Sequence, residues 1–367
     1  MSSLRRCSTM FSWALAAGLI FTSAWPAQSA ELSNAERRQA FLKIIQRPLV
    51  PLNVKLEAQP QEGGLAVEQL LFSSDAANRI DALVYKPASV SGRLPVVIVL
   101  HGTGGTKERM IPLAKDFAKA GVIAVAMDGR FHGPQYGPDN GSDLYFKAMA
   151  DAYRTGSGHP FLYDSAWDIM RLIDYLETRG DVDPSRIGLI GLSKGGMEGW
   201  LAAAADPRIY ALVPLISVQS FRYEVDHNAW QARIGSIGPA VESAAESDGN
   251  SKIDGAFARK FFDRIAPGLT SDFDGPAMLP LIAPRALLAV NGEVDPRNPL
   301  PSVIQIAETM RAIYAKAGKP ENFDLIIEKG TAHAVTPEAM EQARLWLIKQ
   351  LTANAKATSV TSKTRTQ

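Results

Sequence analysis

The sequence predicts an α/β fold, in which helices cover both faces of a mostly parallel, doubly wound sheet. Two nearly continuous apolar runs, residues 94–100 and 122–127, are typical of strands that are buried on both faces. Segments with helical periodicity alternate with such runs over about 250 residues, as in doubly wound sheets. The chain has 367 residues, of which 46% are hydrophobic and 21% are charged. This composition allows a sizeable core and excludes disordered, collagen-like and multi-span membrane proteins.

The first predicted strands form one edge of the sheet. Residues 66–72 and 79–85 have strand character and lie close enough in sequence to pair as an antiparallel edge. Residues 31–64, which precede them, are mixed and polar and contain several prolines, so they are interpreted as an extended lead-in. The first buried run, a helix over residues 110–121 and the second buried run then form a βαβ unit.

Later segments continue this alternation. Apolar residues recur at helical spacing from Ala166 to Leu176, so one face of this helix is expected to lie on the sheet. Another helix runs through residues 200–205. The final helix is expected to begin with Thr336 as its cap and with Pro337 in its first turn. Four further strand-like runs are predicted strands: residues 186–190, 211–216, 286–290 and 323–327.

Two stretches do not follow the alternation. Residues 129–160 are rich in Gly, Tyr, Asp and His. Residues 218–280 form a stretch of about 60 residues, far longer than the usual loop of about 4 to 6. Because this stretch contains helix-like pieces at residues 223–232 and 256–265, it is interpreted as a cap inserted between two late strands. The alternating pattern and this cap together predict a single domain over residues 31–351.

The two termini have their own compositions. Residues 1–30 begin with Arg5 and Arg6, continue through an apolar run too short to span a bilayer, and end in small residues. This order predicts a cleaved secretory signal and a periplasmic or secreted protein; the alternative is an uncleaved amino-terminal anchor. The single cysteine, Cys7, lies within the signal, so the mature chain is expected to contain no disulfide. Residues 352–367 have no apolar periodicity and are predicted to be disordered.

Charge and motif content restrict the possible partners. The 39 basic and 38 acidic residues give a net charge of +1, which provides no electrostatic reason to expect nucleic acid or stable membrane insertion. A small neutral substrate fits this balance better. No His or carboxylate pair has ligand spacing on one predicted element, so no metal is expected. No cofactor is expected either, because the glycines at 102–105 do not form a phosphate or dinucleotide loop. The pattern leaves the oligomeric state open.

The motif Gly191-Leu192-Ser193-Lys194-Gly195 lies between a buried strand and a helix. This is the position of a nucleophile elbow, where a serine takes strained backbone angles so that its hydroxyl stands free above the sheet. Side chains at positions 191 and 195 would collide with such a turn. Ser193 is therefore the candidate nucleophile; its alternative role is that of an ordinary helix cap.

A serine hydroxyl needs a base, and the base needs an acid to orient it. In enzymes with a nucleophile elbow, the acid and then the histidine follow the serine, each on a loop after a later strand. His333 follows the last predicted strand and is the only histidine after Asp295, which follows the strand before it. We therefore expect His333 to be the base and Asp295 the acid. Glu293 and Asp128 are the alternative acids, although Asp128 is rather expected to hold its own loop.

The negative charge that develops on the substrate oxygen needs backbone N–H donors. One donor is expected from Lys194, which follows the nucleophile, and the other from Thr103, with Gly104 as the alternative. His101 is expected to be a buried positioning residue, and the Lys194 side chain is expected to face away from the chemistry. Three further side chains are possible pocket residues, although a structural role is favoured for each: His132, His227 and Trp230.

With these residues in order, the chain resembles an α/β-hydrolase over residues 94–351. The segments at residues 101–105 and 128–130, together with the late Asp295 and His333 loops, are similar to the dienelactone-hydrolase-like and acetyl-xylan-esterase-like branch of that superfamily. The segments also have some similarity to the catalytic domain of prolyl oligopeptidases. Two features differ: dienelactone hydrolases use cysteine where this chain has Ser193, and the residues before position 79 are too few for an oligopeptidase propeller.

The sequence and the resemblance together imply an exported serine hydrolase that cleaves small carboxylic esters through an acyl-enzyme on Ser193. One alternative is a serine peptidase or amidase of the prolyl-oligopeptidase-like type. A second alternative is a catalytically inactive hydrolase fold that serves as a binding protein, although an intact serine, acid and histidine speak against it.

Overall fold

The structure is a computed structural model and describes residues 32–89, 92–137, 141–250 and 252–353. The predicted signal at residues 1–30 lies outside the described residues. So does the predicted disordered tail, except for Thr352 and Ala353.

The described residues form a sheet with the strand order β1-β2-β3-β5-β4-β6-β7-β8-β9. The strands are β1 Lys55–Glu62, β2 Leu65–Ser73, β3 Arg79–Pro87, β4 Leu94–Leu100, β5 Ile123–Met127, β6 Val182–Leu192, β7 Ile209–Leu215, β8 Ala286–Gly292 and β9 Phe323–Glu328. Pairing is antiparallel from β1 through β3 to β5 and parallel from β5 through β4 to β9. The predicted mostly parallel sheet is therefore confirmed.

The described helices cover both faces of this sheet. They are α1 Asn34–Ile45, α2 Ile111–Lys119, α3 Ser142–Thr155, α4 Tyr163–Thr178, α5 Lys194–Ala205, α6 Phe221–Asp226, α7 Gln231–Gly235, α8 Gly238–Ser247, α9 Gly255–Ile265, α10 Gly275–Met278, α11 Leu300–Lys316 and α12 Pro337–Thr352. None of them has both the length and the apolar character of a bilayer-spanning segment.

Two hydrophobic clusters, one on each face, show that the sheet is doubly wound. On β4, Val97 and Val99 pack in the cluster that contains α2 and α12. Val96 and Ile98 point to the opposite face and pack with α1, α3, α4, α5 and α11. Successive side chains of a strand point to opposite faces, so a strand covered on both faces has apolar residues at every position. The continuous apolar run at residues 94–100 has this origin.

The amino-terminal part differs from the predicted extended lead-in. Residues 34–45 form α1, whose capping box joins Ser33 and Glu36, with Glu36 N donating to Ser33 Oγ at 3.3 Å. Residues 55–62 form β1, which pairs with β2 and thereby becomes the edge of the sheet. The predicted edge pair, β2 and β3, therefore lies one strand further inside. Every residue of β1 is exposed or half-buried, so its sequence carries no apolar alternation.

Other predicted elements are present with shifted ends. The predicted helix at 110–121 is α2, and α12 begins after Thr336, whose side chain accepts a hydrogen bond from Ala339 N. The stretch at 129–160 contains α3, and α11 connects β8 to β9. Neither of these helices was predicted.

A helical insertion connects β7 to β8 and contains α6 to α10. One buried carboxylate joins its two ends: Asp274 accepts hydrogen bonds from the backbone N–H of Phe221 at 2.8 Å and of Gly275 at 2.7 Å. A Cβ atom on Gly275 would lie 2.0 Å from the carbonyl oxygen of Gln219, so the two ends are in direct contact. The segment between Phe221 and Asp274 therefore begins and ends at nearly the same point.

A buried ion cluster around Arg130 joins the loop after β5 to α4. Arg130 Nε donates to Asp168 Oδ2 at 3.0 Å, and its Nη1 lies 2.9 Å from Asp75 Oδ2. Asp168 is fully buried and Arg130 is 4% exposed. Breaking a buried ion pair leaves an uncompensated charge, which costs far more than the intact pair contributes.

We expect Arg130→Met to lower the free energy of unfolding by about 3 to 5 kcal/mol, because Asp168 then stays buried without its counter-charge. Urea denaturation followed by circular dichroism measures this change. Lys147→Met is the matched control, because the Lys147 side chain is 69% exposed and its pair with Asp151 lies in solvent. If both variants lost the same free energy of unfolding, the conclusion that the buried Arg130 pair is important for stability would be wrong.

Candidate active site

Ser193 lies at the sharp turn between β6 and α5. Its backbone has φ 52° and ψ −112°, a strained conformation for a residue with a side chain. A Cβ atom on Gly191 would lie 2.3 Å from Gly195 O, and one on Gly195 would lie 2.6 Å from His101 O. The two glycines are therefore required for steric reasons, as the motif predicts.

Backbone hydrogen bonds hold this strained turn in place. Ser193 N donates to the carbonyl oxygen of Leu215 at the end of β7, at 2.8 Å. Met197 N donates to Ser193 O at 3.0 Å and so joins the turn to the first turn of α5. Because a neighbouring strand and the following helix both fix it, the serine can keep its unfavourable angles.

The structure brings Ser193, His333 and Asp295 together across 140 positions of sequence. Ser193 Oγ lies 2.9 Å from His333 Nε2, and His333 Nδ1 lies 2.7 Å from Asp295 Oδ2. His333 follows β9 and its side chain is 13% exposed, whereas the side chain of Asp295, after β8, is fully buried. A serine, a histidine and a carboxylate in this order form the arrangement in which a base can take the hydroxyl proton.

Asp295 receives several hydrogen bonds that favour its ionised form. Arg297 N donates to Oδ1 at 2.8 Å, and Asn298 Nδ2 donates to Oδ2 at 2.6 Å. Burial alone raises the pKa of a carboxyl group, but these bonds and the contact with His333 outweigh it, so the pKa of Asp295 is lowered. The carboxylate is therefore charged where it faces the imidazole.

The two alternative carboxylates have other partners. Glu293 Oε2 accepts a hydrogen bond from Gly330 N at 2.8 Å, in the loop that precedes His333. Asp128 accepts from the backbone N and from the Nζ of Lys107, both at 2.7 Å. Glu293 therefore connects the acid and histidine loops, and Asp128 connects the loops after β4 and β5.

The acid and histidine loops are closely packed against each other. Val294 N donates to the carbonyl oxygen of Thr331 at 3.0 Å. A Cβ atom on Gly292 would lie 2.3 Å from Ala332 O, so only glycine allows this approach. The loop that carries His333 is thereby fixed relative to the loop that carries Asp295.

The loop after β4 lies beside the serine. A Cβ atom on Gly102 would be 3.5 Å from Ser193 Cβ, and Thr103 is the next residue of this loop. Lys194 is the first residue of α5, where backbone N–H groups point away from the helix and favour negative charge. The N–H groups of Thr103 and Lys194 remain the predicted donors to the developing oxyanion.

His101 is buried at 2% exposure and connects two loops. Its Nε2 accepts a hydrogen bond from Gly129 N at 2.8 Å, so its Nδ1 carries the proton and donates to Gly102 O at 2.8 Å. Burial, with a contribution from the Lys194 charge, keeps the pKa of His101 well below its usual value. A neutral His101 with these two bonds has the positioning geometry expected from the sequence.

The side chain of Lys194 is 1% exposed, and its Nζ lies 2.7 Å from Glu198 Oε1. Burial raises the pKa of Glu198, although the adjacent ammonium group opposes this shift. The lysine therefore ends in an interior ion pair, in agreement with the expected orientation away from the chemistry.

The three possible pocket residues lie in different environments. His132 is fully buried; its Nδ1 bonds to Arg130 O at 2.9 Å, and burial lowers its pKa to about 3. His227 is exposed and stacks on Tyr223 with ring centroids 3.8 Å apart. Trp230 is 9% exposed and donates to Asn228 Oδ1 at 3.1 Å. The hydrogen bonds of these side chains thus run to residues outside the Ser193, His333 and Asp295 arrangement.

Sequence reasoning missed Asn298, which bonds Asp295, and Arg233, which bonds Asn298 at 3.1 Å. The only sequence signal for Asn298 is its position three residues after Asp295. Arg233 lies 65 positions away on the insertion, so sequence spacing gives no signal for it. Within the described residues, no group of three or more His, Cys, Asp or Glu side chains could hold a metal ion.

Comparison with known proteins identifies relatives of this chain. Residues 72–318 match the family model described as "Glucuronyl esterase, fungi". The protein YtaP of Bacillus subtilis (strain 168) is 26% identical over 335 residues, which cover 86% of this chain and 99% of YtaP. A 4-O-methyl-glucuronoyl methylesterase of Thermothelomyces thermophilus is 25% identical over 71% of this chain and 61% of its own length.

Solved structures share the fold. Acetyl xylan esterase 1 from Thermoanaerobacterium sp. JW/SL YS485 has a TM-score of 0.60 at 18% identity and covers 86% of this chain and 93% of its own. A glucuronoyl esterase from Solibacter usitatus has a TM-score of 0.58 at 19% identity, with 86% and 92% covered.

The family model covers about two thirds of the chain, from the end of β2 to the loop after α11. This range contains β3 to β8, the nucleophile elbow and Asp295, whereas β1, most of β2, β9 and His333 lie outside it. The resemblance to α/β-hydrolase esterases that the sequence predicts is therefore confirmed, and the chain belongs to the glucuronyl esterase family.

Proposed function

We propose that this protein hydrolyses carboxylic esters through an acyl-enzyme on Ser193. The observation that carries the proposal is the continuous hydrogen-bonded chain from Ser193 Oγ through His333 to Asp295, with contacts of 2.9 and 2.7 Å. Membership of an esterase family supports the same chemistry.

In the first half of the reaction, His333 Nε2 accepts the hydroxyl proton while Ser193 Oγ attacks the ester carbonyl carbon. The carbonyl oxygen becomes an oxyanion in a tetrahedral intermediate. When this intermediate collapses, the bond to the alkoxy oxygen breaks and His333 gives its proton to that oxygen. The alcohol leaves, and the acyl group stays on Ser193 as an ester.

In the second half, a water molecule attacks the acyl carbon and gives a proton to His333 Nε2. Collapse of the second intermediate breaks the bond between the acyl carbon and Ser193 Oγ. His333 returns the proton to the serine, so the net products are a carboxylic acid and an alcohol. Asp295 accepts the hydrogen bond from His333 Nδ1 throughout and stabilises the imidazolium that forms in each half.

The oxyanion needs donors that are in place before the charge develops. We assign this role to the backbone N–H groups of Lys194 and Thr103. The first lies at the amino terminus of α5, where the helix dipole favours negative charge. The second lies in the loop that packs beside Ser193. His132, His227 and Trp230 remain possible residues of the substrate pocket.

For the substrate class, we infer an ester whose acyl part is a sugar acid. The family model and the curated methylesterase relatives carry this inference, because the name of those relatives gives a glucuronoyl group as the acyl part. Without residues 1–30, which contain Arg5 and Arg6 and no acidic residue, the net charge changes from +1 to −1, and this near-neutral charge agrees with an uncharged substrate. Export by a cleaved signal at residues 1–30, to the periplasm or the medium, is part of the proposal.

Replacing Ser193 by alanine removes the nucleophile, and we expect kcat to fall by about 10⁴-fold or more. Labelling of the wild-type protein by a fluorophosphonate probe, which reacts with activated serines, is expected to disappear in the variant. A wild-type protein that takes no label and turns over no ester would support the alternative of an inactive binding protein.

The choice between the two acids is tested by Asp295→Asn and Glu293→Gln. We expect Asp295→Asn to lower kcat by roughly 10³-fold or more, because an amide no longer fixes the tautomer or stabilises the imidazolium. Glu293→Gln keeps an oxygen that can accept from Gly330 N, so its kcat is expected to stay near that of the wild type. The reverse result would assign the acid to Glu293.

Three substrates separate the proposed activity from its alternatives. We expect the methyl ester of glucuronic acid to have a kcat/KM about tenfold or more above that of methyl cyclohexanecarboxylate, which has the same leaving group but a ring without hydroxyls. The anilide of a short peptide is expected to be stable. Cleavage of the anilide at a comparable rate would favour a peptidase or amidase, and equal kcat/KM for the two methyl esters would contradict the sugar-acid assignment.

A further inference from the structure

A buried ion pair of the insertion lies against the loop that carries Asp295. Arg233 in α7 is 2% exposed and Glu224 in α6 is fully buried. Arg233 Nη2 lies 3.2 Å from Glu224 Oε1, and its Nε lies 3.4 Å from Oε2. Taking two charges out of water is costly, and an apolar pair of similar volume is often as stable. Fold stability alone therefore gives a weak reason for this pair.

The other contacts of the Arg233 guanidinium join the ion pair to the loop that carries Asp295. Arg233 donates to the carbonyl oxygen of Arg297 and, at 3.1 Å, to Asn298 Oδ1. Both acceptors lie in the turn that follows Asp295. Arg233 Nη1 also lies 3.8 Å from the Sδ atom of Met197, in the first turns of α5. One side chain of the insertion thus reaches the acid loop and the helix that begins at the serine.

Asn298 transmits this contact to Asp295. Its Nδ2 donates to Asp295 Oδ2 at 2.6 Å and to Ile216 O at 2.8 Å. Arginine can only donate, whereas a carboxylate and a carbonyl can only accept. The amide therefore has one allowed orientation, with its oxygen toward Arg233 and its nitrogen toward Asp295. Asp295 and Ile216 O hold the amide nitrogen and Arg233 holds the amide oxygen, so loss of the arginine leaves one end of the amide free to move.

We propose that Arg233 is a positioning residue for the catalytic acid: it fixes the amide of Asn298, and through this amide it holds Asp295 Oδ2 against His333. The inference rests on the proposed function of Asp295. The same Oδ2 atom receives both Asn298 Nδ2 and His333 Nδ1, so any shift of the carboxylate changes the imidazole contact directly. Glu224 supports Arg233 in this role, because its carboxyl group orients the guanidinium and, when ionised, opposes its charge.

The electrostatics of the pair agree with this role. Burial raises the pKa of Glu224 to about 7, while the charge of Arg233 lowers it and the charges of Asp274 and Asp295 raise it. Above about pH 7 the ionised Glu224 therefore opposes the positive charge on Arg233. At such pH the pair orients Asn298 without placing an uncompensated charge next to the acid.

The test replaces the pair by neutral side chains of similar length. In Arg233→Met combined with Glu224→Met, neither charge stays buried alone, so the fold is expected to be retained. We expect kcat to fall by about tenfold or more and KM to change by less than about twofold, because the acid is misplaced while substrate contacts stay intact. The low-field proton resonance of His333 Nδ1–H, measured without substrate, is expected to weaken or shift.

The matched control is Arg259→Met. Arg259 belongs to the same insertion and also bonds a carboxylate of α6, Asp226, but its side chain is 36% exposed. We expect kcat and the low-field resonance of this variant to match the wild type. Arg233→Lys, which keeps the charge but loses the planar fork, is expected to give an intermediate kcat, and it carries the test if the neutral variants do not fold.

A double-mutant cycle with Asn298→Ala shows whether Arg233 acts through the amide. If it does, the loss in kcat from the combined Arg233→Met and Glu224→Met replacement is expected to be small once Asn298 is already alanine. A folded variant without the pair that keeps wild-type kcat and an unchanged resonance would overturn the proposal, and so would full additivity in the cycle. If the wild-type protein shows no ester turnover, the proposed function fails, and the resonance still decides whether Arg233 positions Asp295.

Discussion

The buried charge on Asp295 is the constraint on which the rest of the site depends. A carboxylate with no exposed side-chain surface needs a full set of donors, and His333, Arg297 N and Asn298 supply them. Each donor must be held in place in turn. The histidine loop packs on the acid loop, and Asn298 bonds both Ile216 O and Arg233. Desolvation of a single group thus organises the loops after three strands, which carry His333, Asp295 and the insertion.

Two other buried ion pairs hold segments near the carboxyl edge of the sheet. Lys107 and Asp128 join the loops after β4 and β5, and Lys194 and Glu198 lie in the first turns of the helix that follows Ser193. Pairs of this kind add little net stability, but each is costly to break. A backbone arrangement that separated either pair would be costly, so the pairs stabilise the observed arrangement around the serine, where the contacts are 2.7 to 2.9 Å long.

Features that depend on residues close together in sequence could be predicted, whereas contacts between residues far apart in sequence could not. The strand at residues 94–100 can be predicted because burial on both faces makes every position apolar. The order of Ser193, Asp295 and His333 can be predicted because each follows an apolar run that forms a strand. The exposed β1 carries no such pattern, and α1 shows only a short capping signal at Ser33. Asn298 and Arg233 meet across 65 positions through the path of the insertion, which no local pattern encodes.

The insertion also has a consequence for how this fold can change. Its ends meet at Asp274, 53 positions after Phe221, so everything between them forms a closed excursion from the sheet. Because both ends stay fixed at Asp274, a change of length between them need not alter the strand register. Arg233 limits this freedom. A replacement segment grafted at Asp274 would have to bring its own cation to Asn298, since Arg233 supplies that contact from within the insertion.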